Sequence, residues 1–166
     1  GNLDVVAVTS AGGGASIQLF NFRHGQNLGS RSFFPKNVQG KNEAEILYAF
    51  LSQHYLEHQP PVEILVNHQP EQQQLLQEVF TEVATHKVAI RHQLRGDRAR
   101  WMRMAVENAE LALNSRLSQR ASAVDRVEAL QDVLKLDQLP QRMECFDISH
   151  TMGEETVASC VVFEDG

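Results

Sequence analysis

Cysteine is scarce. The 166 residues hold two, Cys145 and Cys160, and neither belongs to a CxxC pair or stands beside a ligand-like histidine. This excludes a disulfide-stapled scaffold and a structural zinc site, and both thiols are read as reduced and buried. Long apolar runs are also missing. None approaches the roughly 20 residues needed to span a bilayer, and no basic-plus-apolar leader opens the chain. No membrane partner is expected, and the expected location is cytoplasmic. Positive charge is in deficit: 15 Lys and Arg against 21 Asp and Glu leave a net charge of −6. That is the wrong sign for a domain devoted to holding nucleic acid. Gly12-Gly13-Gly14 lacks the following Lys-Ser/Thr and helix of a phosphate loop, so it reads as a turn.

The composition that remains, 42% hydrophobic and 22% charged, is that of an ordinary globular protein. The length allows one domain plus a piece of another. Gly1-Asn2 leads at once into a strand pattern, and Glu164-Asp165-Gly166 reads as a hairpin turn with no strand after it. The expectation is a segment cut from a longer protein, with Gly1 a cloning remnant.

Periodicity divides the chain clearly. Leu3–Ser10 is a β-branched strand, and Ser16–His24 alternates, with Ile17, Leu19 and Asn21 on one face and Phe20 and Phe22 on the other. Leu28–Phe34 is a third strand, and the tight connections imply an antiparallel meander. Glu43–His58 is an amphipathic helix whose stripe is Leu47, Phe50, Leu51, His54 and Tyr55. Val62–Val66 is a buried strand, a helix begins near Pro70, Val88–Ile90 is a short strand, and a long helix runs from about Asp97 to Arg116. A further helix is expected from Ser122, which stands at capping-box spacing from Asp125. The order β-β-β-α-β-α-β-α, three antiparallel strands and then alternating helices and parallel strands, is that of an α/β ribonuclease H-like fold with a mixed five-stranded sheet. A linking helix and a C-terminal β-hairpin follow. The expected domains are 1–117, a helical linker at 118–142, and 143–166.

The opening strand-turn-strand pattern recurs with an offset of 140: Leu3 falls on Met143, Val5 on Cys145, Val8 on Ile148, Gly13 on Gly153 and Ile17 on Val157. The copies part at the middle of the first strand, where Ala7 corresponds to Asp147. A mid-strand carboxylate is costly to bury unpaired. Metal coordination offsets that cost, as in nucleases whose clustered acids hold two divalent ions about 4 Å apart; a hydrogen bond to a neighbouring loop is the structural alternative. The first copy has no comparable acid. Asp4 lies near the strand start, Asn67 ends the fourth strand, and Glu107 and Glu110 on the long helix lack partners.

The run ECFDISHTMGEETVASCVVFEDG, Glu144–Gly166, resembles the opening of the endonuclease domain of the UvrC family. RSFFPKN (Arg31–Asn37), AEILYAFLSQHY (Ala44–Tyr55), RGDRARWMRMAVENA (Arg95–Ala109) and the LP-R pattern before Glu144 resemble the same family, so the likeness covers nearly the whole chain. The resemblance implies an incision nuclease of bacterial nucleotide excision repair. Such a protein cuts damaged double-stranded DNA on both sides of a lesion, after UvrA and UvrB have marked it. Asp147 would be the first metal-binding catalytic acid, working with Mg2+ or Mn2+ and with further acids beyond Gly166. The segment itself is expected to be inactive and to hold no cofactor, and the contacts to UvrB lie outside it. The alternative is a non-catalytic scaffold for protein or DNA contacts.

Five cations, Arg91, Arg95, Arg98, Arg100 and Arg103, fall within 13 residues. Arg95, Arg98, Arg100 and Arg103 are candidate DNA contacts; the plainer reading is a solvated helix face paired with Asp97 and Glu107. Trp101 is placed in the core with Met104 and Ala105; stacking on a base is the functional alternative. His54 and His58, four apart on a helix, have the spacing of a metal pair but no third ligand. His150 stands near Asp147, and Glu154-Glu155 read as solvated turn residues. The short hairpin at 143–166 leaves its edges and an apolar face uncovered. It is expected to pack on the first domain, swap between chains or be poorly ordered.

Overall fold

The computed structural model describes residues 1–134 and the backbone of two short strands, Asp147–Ser149 and Thr156–Ala158. The chain divides into two compact units, Gly1–Leu113 and Asn114–Gly166.

The first unit opens with β1 (Leu3–Ala11), β2 (Gly14–Arg23) and β3 (Gln26–Phe33). Gly12 and Gly13, at φ 57° and 78°, join β1 to β2. Both central residues of this two-residue turn have positive φ, the geometry whose twist matches the flanking strands and which glycine adopts without strain. Then come α1 (Glu43–Glu57), β4 (Glu63–Val66), α2 (Gln73–Ala84), β5 (Ala89–Arg91) and α3 (Asp97–Leu134). Asn42 and Glu45 close a capping box that starts α1. The second helix starts three residues later than Pro70 because Gln72 is held in the left-handed region, outside the helix.

The sheet order is β3-β2-β1-β4-β5. β1 pairs antiparallel with β2, as does β2 with β3, whereas β1/β4 and β4/β5 are parallel. This is the expected mixed ribonuclease H-like sheet. Its two faces carry separate cores. Val6, Val8, Ile17, Leu19, Ile64 and Val66 pack with Leu47, Leu51, Tyr55, Leu76 and Phe80 of α1 and α2. Leu3, Val5, Ala7, Phe20 and Leu65 pack with Met102 and Ala105 of α3. Six consecutive buried residues in each of β1 and β2 follow from this double cover.

One expectation is corrected. The helix from Asp97 does not stop near Arg116 and restart at Ser122. It is a single helix of 38 residues. No Gly or Pro occurs between Asp97 and Leu134, so nothing in the backbone chemistry breaks it, and Ser122 lies mid-helix instead of capping.

In the second unit, β6 (Asp147–Ser149) and β7 (Thr156–Ala158) form a two-stranded antiparallel sheet. The covering of this hairpin, both cysteines, Pro140, His150 and Glu154-Glu155 lie outside the described residues.

Candidate functional site

β1 is the central strand, so whatever stands at position 7 is surrounded on every side. Ala7 is fully buried in the core that Met102 and Ala105 close. Directly across from it is Gln18, which is also buried. Gln18 Nε2 donates to Ser30 Oγ at 2.5 Å, and Ser32 Oγ donates to Gln18 Oε1 at 2.8 Å. Both ends of the carboxamide are thereby satisfied, as burial demands. Ser16, on the same face of β2 as Gln18, buries its hydroxyl without a partner among the described residues.

Asn67 follows β4, and its side chain is equally committed. Val8 N donates to Asn67 Oδ1 at 3.0 Å, and Asn67 Nδ2 donates to Val8 O at 2.9 Å. The amide imitates a peptide unit and adds a rung beyond Val6↔Val66, the last pair of the β1–β4 ladder. Ala7, Gln18 and Asn67 present no negative charge. No group of three His, Cys, Asp or Glu among the described residues is placed to share a metal ion.

Asp4, the acid in β1, serves the opposite face, as its odd spacing from Ala7 requires. It is buried, and it accepts from Tyr55 Oη at 2.5 Å, Asn21 Nδ2 at 2.9 Å and Arg23 Nη1 at 2.8 Å. Three donors, one of them a guanidinium, make its charge tolerable there. Burial, and then the neighbouring Asp4 carboxylate, hold the Tyr55 hydroxyl proton well above the usual phenol range. This tie between β1 and α1 is structural, and Asp4 is accordingly not available as a metal acid.

His54 stacks between Phe50, with ring centroids 5.3 Å apart, and His58, at 4.2 Å. Burial, and next the adjacent His58, push its pKa down to about 4. It is a neutral member of an aromatic column at neutral pH.

The candidate arginines divide into two groups. Glu63 takes Arg98 as a two-point fork, at 2.6 and 2.8 Å, and also Arg91 at 3.0 Å. Arg100 pairs with Asp97 at 3.1 Å. Arg95 and Arg103 are exposed and have no ion pair among the described residues. Glu107 is no partner of Arg103 here, and Glu63, on a strand 28 residues before Arg91, was not visible as an anchor in the local sequence. Trp101 stacks on Phe22 at 4.8 Å, in the core as expected. Its inward companion is Met102, whereas Met104 is half exposed. The 3.6-residue repeat carries 98, 102, 105 and 109 toward the sheet and turns 104 outward.

In the hairpin β6–β7, Asp147 lies opposite Ala158, Ile148 opposite Val157 and Ser149 opposite Thr156. In β1–β2, Ala7 lies opposite Gln18, Val8 opposite Ile17 and Thr9 opposite Ser16. Every pair of the second hairpin is a pair of the first displaced by 140 on both strands. The cross-strand pair Ala–Gln in one copy is Asp–Ala in the other.

A five-stranded mixed sheet with an opening antiparallel meander, parallel β4 and β5, and helices on both faces defines a ribonuclease H-like domain. The chain belongs to the UvrC Ribonuclease H-like domain family, whose model matches residues 2–116. A second model, the UvrC RNAse H endonuclease domain, matches residues 131–166. Among curated relatives, UvrABC system protein C of Alkalilimnicola ehrlichii is 47% identical over 167 residues, covering 100% of this chain and 27% of that protein. The protein of the same name from Xylella fastidiosa is 49% identical over 164 residues, covering 98% of this chain and 26% of its own length. That of Xanthomonas oryzae pv. oryzae is 46% identical over 163 residues, with 98% and 26% covered. The chain thus spans about a quarter of the length of the relatives it matches. No helix among the described residues is long and apolar enough to cross a membrane.

Proposed function

We propose that this chain is the middle of an incision nuclease that cuts damaged DNA on both sides of a lesion in bacterial nucleotide excision repair. Residues 1–117 form a silent nuclease-like domain that supports or positions the active one. Residues 118–142 link the two, and 143–166 begin the active endonuclease domain. The observation that carries this reading is the hairpin register repeated at an offset of 140, with alanine at position 7 and aspartate at position 147. The segment alone is inactive, because its first copy offers Ala7, Gln18 and Asn67 where charge is needed to hold divalent ions. Whole, the protein acts in the bacterial cytoplasm with UvrA and UvrB, through segments outside this chain.

Asp147 would hold Mg2+ or Mn2+. Such hard cations take carboxylate oxygens and keep several waters. A divalent ion held there would supply an activated water and stabilise the leaving oxygen. Further acids beyond Gly166 complete the set. Asp147→Asn in the intact protein tests this. The resemblance to the UvrC family assigns the cut on the 5′ side of the lesion to this endonuclease domain. Even outer-shell partners of a bound metal are worth about 10–100-fold, so that 5′ cut should fall by at least that factor while DNA binding persists. Unchanged cutting would assign Asp147 to the frame and favour a scaffold protein instead.

A further inference from the structure

We propose that the corner formed by β5 and the start of α3 is a docking surface for a phosphodiester backbone, with Arg95 and Arg103 as the contacting cations and Glu63 as the residue that positions Arg91 and Arg98 beside them. The inference rests on the reading of the chain as part of a DNA-cutting protein, but it concerns the domain that lacks the metal-binding acids.

The charge is placed against its own helix. An α-helix carries partial positive charge at its N-terminus, where acidic residues stabilise it and cations do not. The first turn of α3 nevertheless holds Arg98 and Arg100 with a single acid, Asp97. Five arginines fall within the 13 residues 91–103, and Glu63 and Asp97 are the carboxylates that pair with three of them among the described residues. The five lie in a chain whose net charge is −6, so the cluster is not a sample of the general surface. Sequence choices that break a local rule mark functional sites. The missing component is anionic.

The surface is also open and stiffened. β5 is the edge strand of the five-stranded sheet, and among the described residues no further strand covers Arg91 on that edge. Glu63 fixes Arg98 by a two-point fork and Arg91 by one bond, which leaves a held pair of planar groups with donors to spare. Arg103 lies one helical turn from Arg100, on the same outward row. Arg95 stands in the loop just before Gly96, whose φ of 62° turns the chain into α3. The arginines outnumber the aromatics here, and Trp101, half-buried, already has its ring stacked on Phe22, which suits the surface to backbone phosphates more than to base stacking.

The test titrates the 166-residue chain against a short fluorescent DNA duplex, and against its separated single strand, at several salt concentrations. Neutralised phosphates contribute a slope of about −0.9 each on duplex in the logarithm of affinity against that of salt. Arg95→Gln with Arg103→Gln should weaken duplex binding roughly tenfold or more at 0.1 M salt and reduce the slope by about 1.8. Arg95→Lys with Arg103→Lys should keep the slope. Arg120→Gln with Arg126→Gln, which removes the same charge from exposed positions farther along α3, should change affinity less than twofold. Both Arg95 and Arg103 are exposed, so thermal unfolding should be unaltered. The duplex and single-strand arms tell which form the surface takes. Absence of duplex and single-strand binding by the parent chain, or equal losses in the 95/103 and 120/126 variants, overturns the proposal. Binding of polyglutamate but not DNA would also overturn it and assign the corner to an acidic protein. Unchanged binding in the 95/103 variant together with loss of the 5′ cut in Asp147→Asn would remove this surface and leave the nuclease reading standing.

Discussion

The hairpins β1–β2 and β6–β7 share a pairing register at an offset of 140 but differ at its centre, where Ala7 faces Gln18 in one and Asp147 faces Ala158 in the other. The backbone plan of the two hairpins is therefore independent of the acid. In the first, a methyl group and a carboxamide fill the place: Ala7 belongs to the core of Val5, Phe20, Leu65 and Met102, and Gln18 is tied to Ser30 and Ser32. The comparison teaches that where the first hairpin carries no acid, its interior is filled and hydrogen-bonded. The first copy is a packed core at the point where the second carries a carboxylate.

The strongest way to break this contrast is to place the same residue in the first hairpin. Ala7→Asp buries an unpaired carboxylate beneath α3, and it should lower unfolding free energy by about 3–5 kcal/mol, the scale of an uncompensated buried charge. Chemical denaturation of the variant checks it, and a loss below ~1 kcal/mol would mean that position 7 retains room for an acid. The Asp147→Asn variant, by contrast, should leave stability close to that of the parent and remove the 5′ cut. A smaller effect separates structural acids from catalytic ones. Tyr55→Phe deletes one of the three donors to buried Asp4. It should cost about 1–3 kcal/mol, and an unchanged midpoint in urea would show that Arg23 and Asn21 suffice.

The smallest effect is a pH dependence confined to the first unit. His54 has its folded pKa depressed from 6.5 to about 4. The unfolded chain therefore binds a proton that the folded chain refuses between those values. Its contribution to stability is complete above pH 6.5, declines as pH falls, and is lost below about pH 4. Urea midpoints measured across that window should drop with acidification, and His54→Gln should flatten that part of the curve. Equal slopes for the two proteins would show that the stacked column is not the source.

Much of the frame could be read directly from residue order. The alternation in 16–24 placed Ile17 and Leu19 apart from Phe20, and these residues occupy the two separate cores. The α1 stripe was legible because burial of Leu47, Leu51 and Tyr55 follows the helical period. The repeat at 140 was legible from apolar positions and one glycine. The joining of two expected helices into α3 was missed because Ser122 and Asp125 have capping chemistry, and capping chemistry alone does not stop a helix that lacks a breaker. Asn67 and Gln18 gave no local signal, since their partners lie on other strands.

Order along the chain determined the strands, the helices, the turns and the exchange of Ala7 for Asp147, because each depends on side-chain period or on glycine within a few residues. Tertiary structure alone decided which polar groups are spoken for. Glu63 reaches Arg91 and Arg98 across 28 and 35 residues, Tyr55 reaches Asp4 across 51, and Asn67 reaches Val8 across 59. Hydrogen bonds and ion pairs act over a few ångströms of space, so whether an arginine is committed or left exposed is set by which strands the sheet makes neighbours.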